Sequence, residues 1–167
     1  MSSAVAAVLR PVPIPSSSVL RTDSAAQAFL LLRVAFTVAP ILFGLDKFAE
    51  VLTDNWTAYL SSEFNDILPG SADDAMTIVG VVEVAAGLVV AVAPRYGSLL
   101  VAGWLGGIII NLLLVGGYGD VALRDFGLML GALTLARLAW SEAGSTSRAQ
   151  DRVFQSGTGG SMPATGT

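Results

Sequence analysis

An acidic residue, Glu83, lies in the middle of the apolar stretch MTIVGVVEVAAGLVVAVAP. A carboxylate in lipid is costly, so such a residue is by default a candidate functional group that needs a partner. Three polar side chains lie near the same end of other apolar stretches, namely Lys47, Asn111 and Arg124. Asp125 follows Arg124 and points about 100° away around the same helix. These five residues form the predicted intramembrane polar cluster.

Two interpretations of this cluster remain open. In the structural one, Glu83 and either Lys47 or Arg124 form a buried ion pair that fixes the register of the helices, and Asn111 and Asp125 complete its hydrogen bonds. In the functional one, the cluster lines a pocket that opens to the outer side of the membrane. That pocket would bind a polar headgroup, such as a quinone ring, or a small solute.

Composition indicates the environment in which these residues work. Of the 167 residues, 53% are hydrophobic and 13% are charged, against about 25% charged in ordinary soluble proteins. The sequence therefore predicts one integral membrane domain with the lipid bilayer as its main partner. It contains no cysteine and no histidine, which excludes disulfides, iron–sulfur ligation and metals held by imidazole. The basic residues are scattered, so nucleic-acid binding is not expected.

The apolar residues fall into four segments, each close to the length that crosses a bilayer core as a helix. The segments span about 26–48, 74–93, 96–117 and 120–140. They predict an all-α fold, an integral membrane four-helix bundle over residues 23–140. A flexible Pro/Ser leader is predicted for 1–22 and a disordered Ser/Gly/Thr-rich tail for 141–167. Most basic residues fall on one side of the threaded chain, so both termini are predicted to be cytoplasmic.

The loop between the first two spans is acidic and is therefore predicted to lie outside. Its apolar residues recur at three- and four-residue spacing, which predicts a short amphipathic helix at the membrane surface. Trp56 and Tyr59 are the expected interfacial anchors of this helix.

Each span also carries small and polar residues along one face, and helices in lipid pack where small residues let their backbones approach. The predicted packing positions are seven glycines: Gly44, Gly80, Gly87, Gly103, Gly107, Gly127 and Gly131.

Three of the four spans resemble the DoxX-like family of small four-helix bacterial membrane proteins. The first, LLRVAFTVAPILFGLDKF, has a Leu-Arg start and a Gly-x-x-Lys-Phe end. The second, VGVVEVAAGLVVAVAPRYG, has a Gly-x-x-Glu segment and a short basic turn, and the fourth, VALRDFGLMLGALTLARLA, has an Arg-Asp start. The similarity covers about residues 26–140. The family-like polar residues are Arg33, Lys47, Glu83, Arg124 and Asp125.

This resemblance implies a protein of the bacterial cytoplasmic membrane. One branch of the family is a subunit of a thiosulfate:quinone oxidoreductase, and others are linked to redox-stress complexes. Because this chain has no cysteine to handle sulfur, the expectation is an accessory or structural subunit with no activity of its own. A quinone or a lipid headgroup is the candidate ligand, and a respiratory or redox membrane complex or a second copy of the chain is the candidate partner.

Two alternatives stay open. The chain could be the membrane subunit of a quinone-linked oxidoreductase that works with a soluble partner. A small-solute carrier is less favoured, because the sequence shows no inverted repeat and no pair of interrupted helices.

Overall fold

The computed structural model of the chain describes the backbone of residues 12–158 and the side chains of residues 12–142 apart from Arg21. Every regular element in this part of the chain is helical, as the sequence predicts. The elements are α1 (Ser17–Thr22), α2 (Ser24–Ala49), a 3₁₀ turn (Trp56–Tyr59), α3 (Ser62–Ile67), α4 (Ala72–Val92), α5 (Pro94–Val115) and α6 (Gly119–Thr158).

Three helices, α2, α4 and α5, are long and apolar enough to cross a membrane. They coincide with the first three predicted spans and support the prediction of a membrane protein. Helix α6 covers the fourth predicted span, 120–140, but it carries Asp120, Arg124, Asp125 and Arg137 along that stretch and is not one of the three. Its crossing of the membrane stays a prediction.

Local sequence sets where the long helices begin and end. The Asp23 carboxylate caps the first turn of α2, and Ser71 and Asp74 form a reciprocal capping box at the start of α4. Such caps satisfy backbone N–H groups that have no partner inside the helix. Pro94 occupies the first turn of α5, where its missing N–H carries no penalty. Helix α2 ends at Ala49, and its C-cap residue Glu50 adopts the left-handed conformation with a φ of 52°.

The four long helices pack in a ring, in which α2 contacts α4, α4 contacts α5, α5 contacts α6, and α6 contacts α2. We call the end that carries residues 50–71 the loop end, and the opposite end, with the α4–α5 turn at Ala93, the turn end. Helices α2 and α4 approach most closely at glycines. A Cβ atom on Gly44 would lie 2.6 Å from the Gly80 carbonyl oxygen, and one on Gly87 would lie 2.8 Å from that of Thr37.

The other predicted packing glycines divide into two groups. A Cβ atom on Gly131 would lie 3.1 Å from the Phe36 ring, so this position is a helix contact. Gly103, Gly107 and Gly127 differ from the prediction, because a Cβ atom on any of them would meet no atom of a neighbouring element within 4 Å. These three positions lie on open surface in the described part of the chain.

The fully buried apolar core lies toward the turn end. Its largest members include Phe29 of α2, Val90 of α4 and Leu135 of α6. Val12, which precedes α1, is only 3% exposed and belongs to the same core. The Arg33 guanidinium donates hydrogen bonds to the Val12 carbonyl oxygen at 3.0 Å and to the Ala91 carbonyl oxygen at 2.6 Å.

The segments outside the long helices differ in part from their predicted disorder. The leader, predicted to be flexible over 1–22, contains α1 and is held to the turn end at Val12; its residues 1–11 lie outside the described residues. The tail, predicted to be disordered over 141–167, continues the backbone of α6 as far as Thr158. Residues 159–167 lie outside the described residues.

Candidate functional site

Lys47 and Glu83 form a buried ion pair between α2 and α4. The Lys47 Nζ atom lies 2.7 Å from Glu83 Oε2, and the two side chains are only 5% and 11% exposed. The sequence left two cationic partners open, and the structure brings Lys47, not Arg124, to the carboxylate. Arg124 is exposed on α6 and forms no ion pair within the described residues. The next residue, Asp125, faces inward instead.

The indole of Trp56 covers the ion pair at the loop end. Its ring centroid lies 4.2 Å from Lys47 Nζ, and its N–H donates to Asp46 Oδ2 at 3.2 Å. A cation held over an indole face gains electrostatic stabilisation, more so where water is excluded. Tyr59 packs between Trp56 and Tyr118, with ring centroids 5.9 Å and 4.8 Å away. Both predicted anchors therefore pack against other residues of the chain.

Asp46 fixes the first part of the loop. This residue is 6% exposed, and its Oδ1 atom accepts hydrogen bonds from the backbone N–H groups of Val51 and Leu52 at 3.0 Å and 2.9 Å. Asp46 was not among the residues predicted to form the site. Its position in the sequence could have identified it, because a carboxylate in the last turn of a helix is unfavourable next to the helix dipole and therefore needs hydrogen-bond donors.

Asn111 fixes the second part of the loop. Its side-chain oxygen accepts from the Ser61 backbone N–H at 2.8 Å, and its amide group donates to the Tyr59 carbonyl oxygen. Asn111 was predicted to join the Glu83 cluster, but the oxygen and the nitrogen of its amide are each hydrogen-bonded to the loop backbone. The loop itself folds as the 3₁₀ turn followed by α3 rather than as the single predicted amphipathic helix. The hydrogen bonds with Asp46 and Asn111 therefore determine the conformation of the loop, and they outweigh the helical spacing of its apolar residues.

Three polar groups at or near Glu83 have no hydrogen-bond partner among the described residues. Lys47 engages only Glu83 Oε2, and no described group donates to the other carboxylate oxygen, Oε1. The Trp104 indole nitrogen is buried without a hydrogen-bond partner. Its N–H interacts electrostatically with the Glu83 carboxylate but lies outside hydrogen-bond geometry. Asp125 is 9% exposed, forms no hydrogen bond with a described residue, and is within electrostatic range of Glu83.

The four side chains Lys47, Glu83, Trp104 and Asp125 come one from each long helix. We call them the four-helix cluster. Trp104 was missed in the sequence, where it reads as one more apolar residue of its span. The cluster contains one cation and two carboxylates, so one negative charge is not balanced within it. No group of three or more His, Cys, Asp or Glu side chains in the described residues could hold a metal ion.

The arrangement offers hydrogen-bonding chemistry in a mostly buried setting. A group that both donates and accepts hydrogen bonds could satisfy Glu83 Oε1 and the Trp104 N–H together. Comparison of the chain with protein-family models, with curated proteins and with solved structures finds no match in any of the three. The function is therefore argued from the geometry of the four-helix cluster and its loop.

Proposed function

We propose that this chain is a DoxX-like integral membrane protein that serves as an accessory subunit and binds the polar headgroup of a lipophilic molecule in the four-helix cluster. Quinone is the first candidate for that molecule. The observation that carries the proposal is the buried Trp104 Nε1 donor, which has no hydrogen-bond partner among the described residues and lies near the Glu83 carboxylate, whose Oε1 atom accepts no hydrogen bond from a described group. A bound headgroup would satisfy both.

The proposal includes a membrane topology. All four long helices cross the bacterial cytoplasmic membrane as a bundle, both termini are cytoplasmic, and the loop end faces outward. The ring of contacts supports the inclusion of α6, because α6 packs against both α5 and α2. The distribution of basic residues supports the orientation. In this arrangement the three polar bundle-facing side chains Lys47, Glu83 and Asp125 point away from lipid, as intramembrane charges do.

Energetics favour a ligand at this position. A buried hydrogen-bonding group that lacks a partner costs about 1–3 kcal/mol, and more when the group is charged. The Trp104 N–H is such a group among the described residues, and it is unusual in a site that has no role beyond packing, because buried polar groups are generally paired. A ligand that supplies the missing partner recovers this free energy on binding.

A second candidate function, a purely structural clamp, is favoured by a different observation. The loop is attached to the Lys47–Glu83 ion pair through Trp56, whose ring contacts Lys47 and whose N–H donates to Asp46. Asp46 also accepts a hydrogen bond from the loop backbone at Val51. In this case the cluster would only fix helix register and loop position. Buried ion pairs are well attested in such a role.

The test is to purify the full chain in mild detergent and to identify its bound lipophilic molecules and proteins by mass spectrometry. Three forms are compared: the wild type, Glu83→Gln, and the exposed control Arg124→Gln. We expect the wild type and the control to retain one enriched lipophilic molecule, and Glu83→Gln to lose it at unchanged abundance. If all three carry only bulk lipid and Glu83→Gln lowers abundance, the clamp is the function and the ligand proposal fails.

The proteins recovered in the same experiment address the accessory role. An oxidoreductase that copurifies with the wild type supports a subunit role in a redox complex, and quinone-dependent turnover of that complex would favour the electron-transferring alternative. Solute flux by the chain alone in proteoliposomes would instead identify a carrier and contradict the proposal.

A further inference from the structure

The chemistry of the four-helix cluster restricts the kind of headgroup it can take. The groups that lack partners are mainly acceptors: Glu83 Oε1 and the carboxylate of Asp125. Ionised carboxylates accept hydrogen bonds and donate none. A headgroup that only accepts, such as a carbonyl or a phosphate, would leave both carboxylates without a donor.

Charge restricts the headgroup further. Lys47 balances Glu83 at 2.7 Å, and Asp125 is 9% exposed with no cation hydrogen-bonded to it. Asp46, which precedes Lys47 in α2, accepts hydrogen bonds from two backbone N–H groups and from the Trp56 indole. The four side chains of the cluster therefore carry one more negative than positive charge in a medium of low dielectric constant, where charges interact strongly. Arg124 also acts electrostatically on Asp125, but it does so from the exposed face of α6 and is not part of the cluster. An anionic headgroup placed there is repelled.

The remaining donor near Glu83 is Trp104 Nε1. Its nitrogen is covered in this structure and has no hydrogen-bond partner among the described residues, so a ligand oxygen can accept from it only after the indole shifts. A headgroup that also accepts one hydrogen bond would satisfy this donor.

From these three observations we infer that the four-helix cluster selects a neutral hydroxyl headgroup. The hydroxyl hydrogen is donated to Glu83 Oε1 or to Asp125, and the hydroxyl oxygen accepts from the Trp104 N–H. This inference rests on the proposed function and makes it more specific. A hydroxyl of this kind is carried by a reduced quinone ring, and equally by the glycerol group of an uncharged lipid, and the shared chemistry is what the site recognises.

Four probes test whether the site prefers a neutral hydroxyl to a quinone carbonyl or a phosphate. They also distinguish the two molecules that could carry the hydroxyl, a reduced quinone and an uncharged lipid. They are a decyl-chain benzohydroquinone, the matching oxidised quinone, dioleoylglycerol and dioleoyl phosphatidic acid. Binding to the full chain in detergent is measured by native mass spectrometry over a range of probe concentrations. We expect at least one hydroxyl probe to bind about tenfold or more tightly than its matched partner, the difference that one good hydrogen bond makes. Comparing the affinity of the benzohydroquinone with that of dioleoylglycerol then shows whether the bound hydroxyl belongs to a reduced quinone or to an uncharged lipid.

Variants test the assigned groups. Trp104→Phe is expected to weaken the hydroxyl probe about tenfold by removing one hydrogen bond, and Asp125→Asn is expected to reduce the discrimination against phosphatidic acid. Gly127→Leu, at an open position on α6, is the control and should leave binding of every probe unchanged. A merely structural role of Asp125 would not change which headgroup is preferred.

The outcomes distinguish this inference from the proposal on which it rests. If the oxidised quinone or phosphatidic acid binds as tightly as its hydroxyl partner, and Glu83→Gln abolishes that binding, the headgroup site stands and hydroxyl selection is wrong. If no probe binds the wild type more tightly than Glu83→Gln, the headgroup site itself is wrong.

Discussion

Lys47→Met and Glu83→Gln each break the Lys47–Glu83 ion pair, but Lys47→Met should lower the stability of the protein more. Lys47→Met leaves Glu83 buried in mid-helix beside Asp125 with no cation, and it also removes the cation from the Trp56 ring face. Breaking a buried ion pair from one side costs about 3–5 kcal/mol, and we expect about 3 kcal/mol here. Glu83→Gln keeps an acceptor for Lys47, whose long stem can turn the ammonium toward the end of α2. We expect it to cost about 1 kcal/mol, the value of a weakened hydrogen bond.

The free energy of unfolding is measured for the full chain in mixed micelles of increasing SDS content, followed by circular dichroism. The double variant Lys47→Met/Glu83→Gln removes both charges, so it should be more stable than Lys47→Met alone by about 1–2 kcal/mol through the coupling of neighbouring residues. Arg124→Met is the matched control and should change stability by less than about 0.5 kcal/mol, as exposed substitutions do. A double variant whose loss equals the sum of the single losses would refute the reasoning, as would an Arg124 effect as large as that of Lys47.

Three further substitutions test the loop and the helix contact. Asp46→Ala removes the acceptor of three N–H groups and should raise amide exchange over residues 51–60 by about tenfold or more in deuterium-exchange mass spectrometry; unchanged exchange would show that Asp46 does not hold the loop. Asn111→Leu should raise exchange around 59–61 while leaving 51–52 protected, and equal effects at both places would contradict two separate attachment points. Gly80→Leu should destabilise by at least about 2 kcal/mol through overpacking against α2, whereas Gly127→Leu, on open surface, should stay within about 0.5 kcal/mol.

The long helices follow directly from the sequence, because each apolar segment approaches the length of a bilayer core and the caps stand at its ends. Glu83 could also be recognised as a residue that needs a partner. The choice of partner could not be predicted, since Lys47 and Arg124 both have stems long enough to reach it. The rotation of α6 decides the matter by turning Asp125 inward and leaving Arg124 exposed. That rotation depends on packing against α5 and α2, which a single sequence does not specify.

The conformation of the loop could not be predicted from its local sequence. Its apolar spacing predicts one surface helix, yet the chain forms a 3₁₀ turn and a short helix. The contacts that override the spacing join residues far apart in the sequence, such as Asn111 and Ser61. No local pattern marks such a pair. Asp46 was the one residue with a local clue, its unfavourable position in the last turn of a helix.

The two ends of the helix ring differ in a way that bears on function. At the turn end, Phe29, Val90 and Leu135 are fully buried, Val12 fills space among them, and Arg33 ties the Val12 and Ala91 carbonyl groups together. A solute crossing the protein would have to part this close-packed core. Between the middle of the bundle and the loop end, by contrast, Trp104 Nε1 and Asp125 lack hydrogen-bond partners among the described residues, and Glu83 retains slight exposure. A site that is polar at one end and closed by packed apolar side chains at the other suits a group that enters and leaves from the same side. This asymmetry favours a headgroup site over a carrier.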